Sequence, residues 1–170
     1  PKAVSMEEFR AEQYDRGLAW VHFPEGWGGL GLAPNHQKDI DAAIRRAGAQ
    51  PADSRHFFGL TMAGPTVVTH GDDALRGRLL RRMFTGEDAW CQRFSEPGAG
   101  SDLAGLACKA VRDGDEWVLT GNKYWCTVAD GCDYLTLCAR TAPPPSADKR
   151  YLGISAFMIE KERGTFPPGM

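Results

Sequence analysis

The sequence has no apolar run near the about 20 residues that a membrane-spanning helix needs, so no membrane span is expected. It also lacks an excess of either charge. The 20 Lys and Arg against 22 Asp and Glu leave a formal net charge of −2. That balance gives no electrostatic ground for binding nucleic acid or an anionic membrane. The stretch Pro1 to Glu12 is polar and mixed in charge, unlike a secretory signal. None of the 5 cysteines, at 91, 108, 126, 132 and 138, forms a Cys-x-x-Cys pair. No Cys/His cluster has zinc spacing, and no metal is expected. An odd count in strand-like apolar segments reads as free, buried thiols in a reducing cytoplasm. The histidines at 22, 36, 56 and 70 are scattered and read as ordinary helix or loop residues.

Apolar residues make up 42% and charged residues 25% of the 170 residues, the proportions of a folded globular chain rather than a disordered one. That length suits one ordinary domain or two small ones.

The first half reads helical. Ser5 and Glu8 form a Ser-x-x-Glu capping box before a helix that ends near Gly17. Residues 18–32 cannot continue it, because Pro24 and several glycines break the pattern. A second helix is expected over about Asn35 to Ala47, with Ile40, Ala43, Ile44 and Ala47 at helical spacing. Phe57, Phe58, Leu60, Met62, Val67 and Val68 suggest a buried third helix, kinked by Pro65. Asp72 and Asp73 open a fourth, in which Leu75, Leu79 and Met83 face the core. Arg76, Arg78, Arg81 and Arg82 crowd the rest of that helix, as a solvated face, a subunit contact or a phosphate contact.

After Gly86 the period changes from helical to extended. Strands are expected over Ala89 to Ser95, Leu106 to Arg112, Glu116 to Thr120, Lys123 to Val128, Asp133 to Ala139 and Ile154 to Glu160. Asp113-Gly114-Asp115 marks a hairpin turn, and Pro143 to Lys149 an exposed polar loop. Helices followed by strands imply two domains, 1–87 and 88–170. The strands would leave open edges, so the sequence looks cut short.

Two segments carry chemistry. In Arg93 to Gly105, Glu96-Pro97 forces a turn and Gly98 and Gly100 leave the backbone uncovered before Ser101 and Asp102. Such a loop suits close approach by a polar ligand; by composition it reads equally as a connection that binds nothing. In Gly121 to Val128, strand alternation places Trp125 and Thr127 on one face. An indole beside a hydroxyl suits a flat heteroaromatic ring with a polar edge. Read alone, it also suits a core tryptophan beside a satisfied threonine.

Taken in order, Phe94-Ser95-Glu96-Pro97-Gly98-Ala99-Gly100-Ser101-Asp102 and then Gly121-Asn122-Lys123-Tyr124-Trp125-Cys126-Thr127 resemble the paired signature of acyl-CoA dehydrogenases. The Pro24 to Gly31 loop, the Asp113 to Gly121 hairpin, Ala139-Arg140-Thr141 and the Ile154 to Glu160 strand are also similar to that family. The resemblance implies an α+β multidomain protein: an N-terminal all-α domain, then a truncated β-barrel or β-sandwich domain. The family's C-terminal helical bundle is absent from this chain. It implies FAD as cofactor and an acyl-CoA thioester as substrate, dehydrogenated between its α and β carbons. Gln92, Phe94, Ser95, Trp125 and Thr127 would contact the flavin, and Ser101 the CoA portion. Gln92 stands where an aromatic is common, Ser95 where threonine is, and Val128 where asparagine or serine is. No catalytic residue is assigned, because the family's glutamate base comes from the missing bundle. Further implications are an electron-transfer flavoprotein as acceptor, a homo- or hetero-oligomer and a cytoplasmic location. Alternatives are an acyl-CoA oxidase or flavin monooxygenase of the same architecture, or a non-catalytic subunit in a hetero-oligomer.

Overall fold

The computed structural model describes residues 4–49 and 56–165. It divides into two compact units, Pro1–Trp90 and Cys91–Met170.

The first unit is helical. Helix α1 (Met6–Asp15) begins at the expected capping box: the Glu8 N–H donates to Ser5 Oγ and the Ser5 N–H to Glu8 Oε2, at 3.1 and 2.8 Å. The chain leaves it through Gly17 at φ +70°. Residues 18–32 form closely folded turns, with Leu30 and Leu32 N–H groups both donating to Val21 O. Glycine is required here for space: a Cβ on Gly29 would lie 2.1 Å from Phe23 O and 2.5 Å from Trp20 O. The turns deliver Trp20 and Phe23, stacked at 4.8 Å, into a core with Tyr14 and Phe84.

Helix α2 (Gln37–Arg46) follows a short 3-10 turn at Pro34–His36. None of its residues is buried; Ile40 and Ile44 are half-covered, and Ala43 and Ala47 are exposed. The helical spacing therefore gives the helix without a deep core contact. The expected third helix is composite. A π segment at Gly59–Ala63 runs into α3 (Gly64–His70), with Gly64 N–H donating to Gly59 O. The widened turn lies immediately before Pro65, where an α-helical turn would clash with the proline ring and leave a carbonyl without a donor. Of the six apolar residues expected to be buried there, only Val67 is fully so, and Phe57 is 56% exposed.

Helix α4 (Asp73–Thr85) is capped by Asp72, whose carboxylate accepts from Leu75 N–H at 2.8 Å, and ends at Gly86 at φ +89°. Leu79, Leu80 and Met83 are fully buried. Three of its arginines meet carboxylates of the same unit. Arg76 pairs with Asp73, Arg81 with Asp15, and Arg82 with Glu87 and Asp88.

The second unit is a mixed five-stranded sheet in the order β1-β4-β2-β3, with β5 also paired to β4. Its strands are β1 (Trp90–Arg93), β2 (Lys109–Asp113), β3 (Glu116–Thr120), β4 (Tyr134–Arg140) and β5 (Ile154–Glu160). Residues Tyr134 to Ala139 of β4 are all buried, as their near-continuous apolar run requires of a central strand. β4 and β5 are antiparallel from Tyr134↔Glu160 to Arg140↔Ile154, and β2 and β3 form the expected hairpin around Gly114-Asp115. A single parallel pair, Lys109↔Arg140, joins β2 to β4. Cys91, Cys108, Cys132 and Cys138 are buried free thiols, and Cys126 is half-buried.

One expected strand does not form. Residues 122–126 have no regular structure and Thr127-Val128 is a turn, with Trp125 at φ 58° and Val128 at φ 57°. Two left-handed residues reverse the backbone within four positions, so the period-two alternation that put Trp125 and Thr127 on one strand face does not apply.

Candidate functional site

The two signature segments meet through main chain and a buried ion pair. Tyr124 N–H donates to Ser95 O at 2.8 Å. The Lys123 ammonium donates to Phe94 O at 3.1 Å and to Glu96 Oε1 at 2.7 Å. Both charged side chains are almost fully covered, at 3% exposure for Lys123 and 6% for Glu96. Glu96 also accepts from Ala107 N–H at 2.6 Å and Cys108 N–H at 3.0 Å. One carboxylate thus gathers the lysine of the second segment and the entry to β2. Burial pushes the Glu96 carboxyl up, but the Lys123 ammonium and the two backbone N–H donors outweigh it, and the group lies below the ordinary glutamate range.

Around this anchor the glycine loop is open. Glu96 and Ala99 exchange backbone hydrogen bonds at 2.8 and 3.1 Å, closing a tight turn. A Cβ added at Gly98 or Gly100 would meet nothing within 4 Å. Ser101 and Asp102 are exposed, and the Asp102 carboxylate accepts two contacts of 2.9 Å from Arg150. Arg140 donates to Ala104 O at 2.9 Å, which fixes the far side of the same loop.

The expected site residues sort as follows. Gln92 lies on β1, half-buried, and Phe94 packs beside a small core of Ala99, Leu106 and Cys138. Ser95 is half-buried and adjoins the second segment through its carbonyl. Trp125, one residue past that hydrogen bond, is 87% exposed, and Thr127 is exposed beyond it. Ser101 lies past the open turn. Ser95 and the Tyr124-Trp125 stretch are therefore adjacent, joined by backbone rather than by strand alternation.

Sequence reasoning missed the members that hold this arrangement together: Lys123, Arg140 and Arg150. Lys123 stands inside a motif already quoted, and a lone charge flanked by aromatic and small residues is the signal that was available. The partners of Arg140 and Arg150 are distant in sequence and left no local mark.

Among the described residues no group of His, Cys, Asp or Glu is arranged to hold a metal ion. Burial pushes the Cys108 and Cys138 thiols up, so neither is an activated nucleophile. No helix of the described residues is long and apolar enough to cross a membrane.

This order, a helical unit followed by a mixed sheet, has known counterparts. Residues 91–169 match the family described as acyl-CoA dehydrogenase, middle domain. The chain belongs to the acyl-CoA dehydrogenase family. It is 36% identical over 143 residues to acyl-CoA dehydrogenase IpdE1 of Mycobacterium tuberculosis, a match covering 84% of this chain and 36% of that relative. Among solved structures, the ChsE4–ChsE5 complex from Mycobacterium tuberculosis is similar at 31% identity and TM-score 0.67, covering 91% of this chain and 38% of that one. The structure of PigA with FAD and proline is similar at 26% identity and TM-score 0.62, covering 94% of this chain and 41% of that one. The chain therefore spans well under half the length of these relatives.

Proposed function

We propose that this chain supplies flavin and CoA contacts to an FAD-dependent enzyme that introduces an α,β double bond into an acyl-CoA thioester. The observation that carries the reading is the junction of Ser95 with Lys123-Tyr124, which leaves Trp125 projecting 87% exposed beside a half-buried hydroxyl residue. A large indole held outward at positive φ is costly in water and in backbone strain, and such outliers gather at ligand sites. The clearance beside Gly98 and Gly100 fits a bulky polar group drawn close to main chain.

FAD, when bound, supplies the hydride acceptor. Trp125 packs against its ring system. Ser95 and Thr127 offer hydroxyls to the ring's polar edge, and Gln92 on β1 and Phe94 just after it line that edge. Ser101, past the open turn, contacts the CoA portion of the substrate. Glu96 is not the proton-abstracting base: its carboxylate is covered and committed to Lys123 and two N–H groups. An electron-transfer flavoprotein takes the electrons. Free, buried thiols support a cytoplasmic setting.

A hetero-oligomeric assembly, in which a partner chain completes the site, is favoured by the similarity to a structure titled as a two-protein complex. The test uses the product of the complete reading frame. Trp125→Ala, or Ser95→Ala with Thr127→Ala, is expected to lower bound flavin per chain, read from the visible absorbance of the purified protein. Flavin content equal to that of the parent in both variants overturns the reading.

A further inference from the structure

Among the described residues, the Trp125 turn pairs with no strand. Between Trp125 and Cys132 it is a string of local contacts: Thr127 N–H to Trp125 O at 3.2 Å, Ala129 N–H to Cys126 O at 3.3 Å, and Gly131 N–H to Val128 O at 3.2 Å. Two of its residues, Trp125 and Val128, are held in the left-handed region, and for a β-branched valine that conformation is strained. Strained backbone persists only where the surroundings over-determine it. The entry to the turn is fixed by Lys123. What fixes the exit is a second buried lysine.

Lys161, directly after β5, is 7% exposed. Its ammonium donates to Cys132 O at 2.9 Å, Glu162 O at 3.0 Å and Asp130 O at 3.4 Å. Among the described residues, three carbonyls accept from this ammonium. The neighbouring main chain repeats the attachment: Lys161 N–H donates to Asp133 O and Gly164 N–H to Asp130 O, both at 2.8 Å. Arg163 adds a bond from Nε to Asp133 Oδ1 at 3.1 Å. Residues 161–164 thus hold residues 130–133 as a unit. Burying an ammonium is costly unless its donors are satisfied, and here carbonyls from both segments satisfy them.

We propose that Lys161 is a positioning residue for the Trp125–Val128 turn, fastening its exit as Lys123 fastens its entry. It acts on the ring-binding residues without touching the ring. The inference rests on the flavin reading for its consequence, but the fastening itself is measured separately. Without the ammonium, the carbonyls of Asp130 and Cys132 lose a common donor and the turn opens locally while the β2–β3 hairpin stays closed.

The experiment compares Lys161→Met and Lys161→Gln with the parent in the complete protein. Amide hydrogen exchange is followed over residues 124–133 and, as internal reference, over 109–120. FAD affinity is measured by fluorescence titration of the flavin-stripped protein. Lys161→Met is expected to speed exchange over 124–133 by about tenfold and leave 109–120 within about twofold. It is expected to weaken FAD binding by about tenfold, while Lys161→Gln, which keeps two donors, falls between. Unchanged exchange over 124–133, or equal acceleration in both segments, overturns the proposal. A loosened turn with unaltered FAD affinity overturns its link to the flavin. Should Lys161→Met not fold, Lys161→Gln gives the same comparison. A parent protein that binds no FAD sinks the flavin reading and leaves the exchange result standing.

Discussion

The two glycine-rich loops of this chain use the same residue for opposite purposes. In the helical unit, the middle of the 18–32 loop is packed shut, though Gly26 and Gly31 are not: a Cβ at Gly28 would meet the Tyr14 ring at 2.6 Å, and one at Gly29 the Phe23 carbonyl at 2.1 Å. In the sheet unit, Gly98 and Gly100 border empty space. Glycine provides fit in the first loop and clearance in the second. The means of fixing them differ as well. The first is held by backbone hydrogen bonds and an aromatic core. The second is held by a carboxylate and an ammonium removed from water, Glu96 and Lys123. The open turn packs only through Ala99, against Leu106 and Cys138, and directional, charge-assisted bonds at its base add to that hold.

The largest effect expected from breaking this contrast comes from the ion pair. Lys123→Met leaves a buried carboxylate without its cation and should destabilise the sheet unit by about 3–5 kcal/mol, read by urea denaturation. A change below about 1 kcal/mol, the worth of an exposed pair, would show that the anchor is not operating as a buried one.

Next comes the closed loop. Gly29→Ala forces a methyl group into two backbone carbonyls and should cost about 1–3 kcal/mol in the helical unit, visible as a lowered thermal midpoint. Indifference to this change would mean the loop is looser than its contacts imply.

Acid provides a third probe. Because the folded-state Glu96 carboxyl lies below its ordinary value, its contribution to stability is complete above the usual glutamate range of about 4.3. The contribution is lost as pH falls through the depressed value. Urea midpoints recorded from neutral pH downward should therefore drop more steeply in the parent than in Glu96→Gln, which starts lower and has no such carboxyl to protonate. Parallel curves would refute this.

The smallest stability effect belongs to the open loop. Gly98→Ala should change unfolding free energy by less than about 0.5 kcal/mol, since the new methyl group meets nothing. It should nonetheless reduce flavin or CoA-thioester binding in the complete protein, measured by titration. A stability loss as large as that of Gly29→Ala would erase the distinction between the loops.

Much of this was legible in the residues. The Ser5–Glu8 capping box, the helix opening at Asp72-Asp73, the change of period after Gly86 and the Asp113-Gly114-Asp115 hairpin all depend on neighbours a few positions apart, and all appear in the fold. Strands β4 and β5 follow equally from their apolar runs. The Lys123 to Val128 segment misled because aromatic, cysteine and β-branched residues favour strands, while its actual path depends on what grips its ends.

By itself, then, the sequence determined the order of helices and strands, the positions of the turns and the family signature, because these are set by local backbone preference and periodicity. Tertiary structure alone decided that Trp125 turns outward, that Glu96 and Lys123 pair out of water, and that Lys161 closes the far end of the turn. Those outcomes depend on desolvation and on hydrogen bonds between residues distant in the chain, such as Lys123 with Glu96 and Lys161 with Cys132. No local pattern encodes which distant carbonyl a buried ammonium will find.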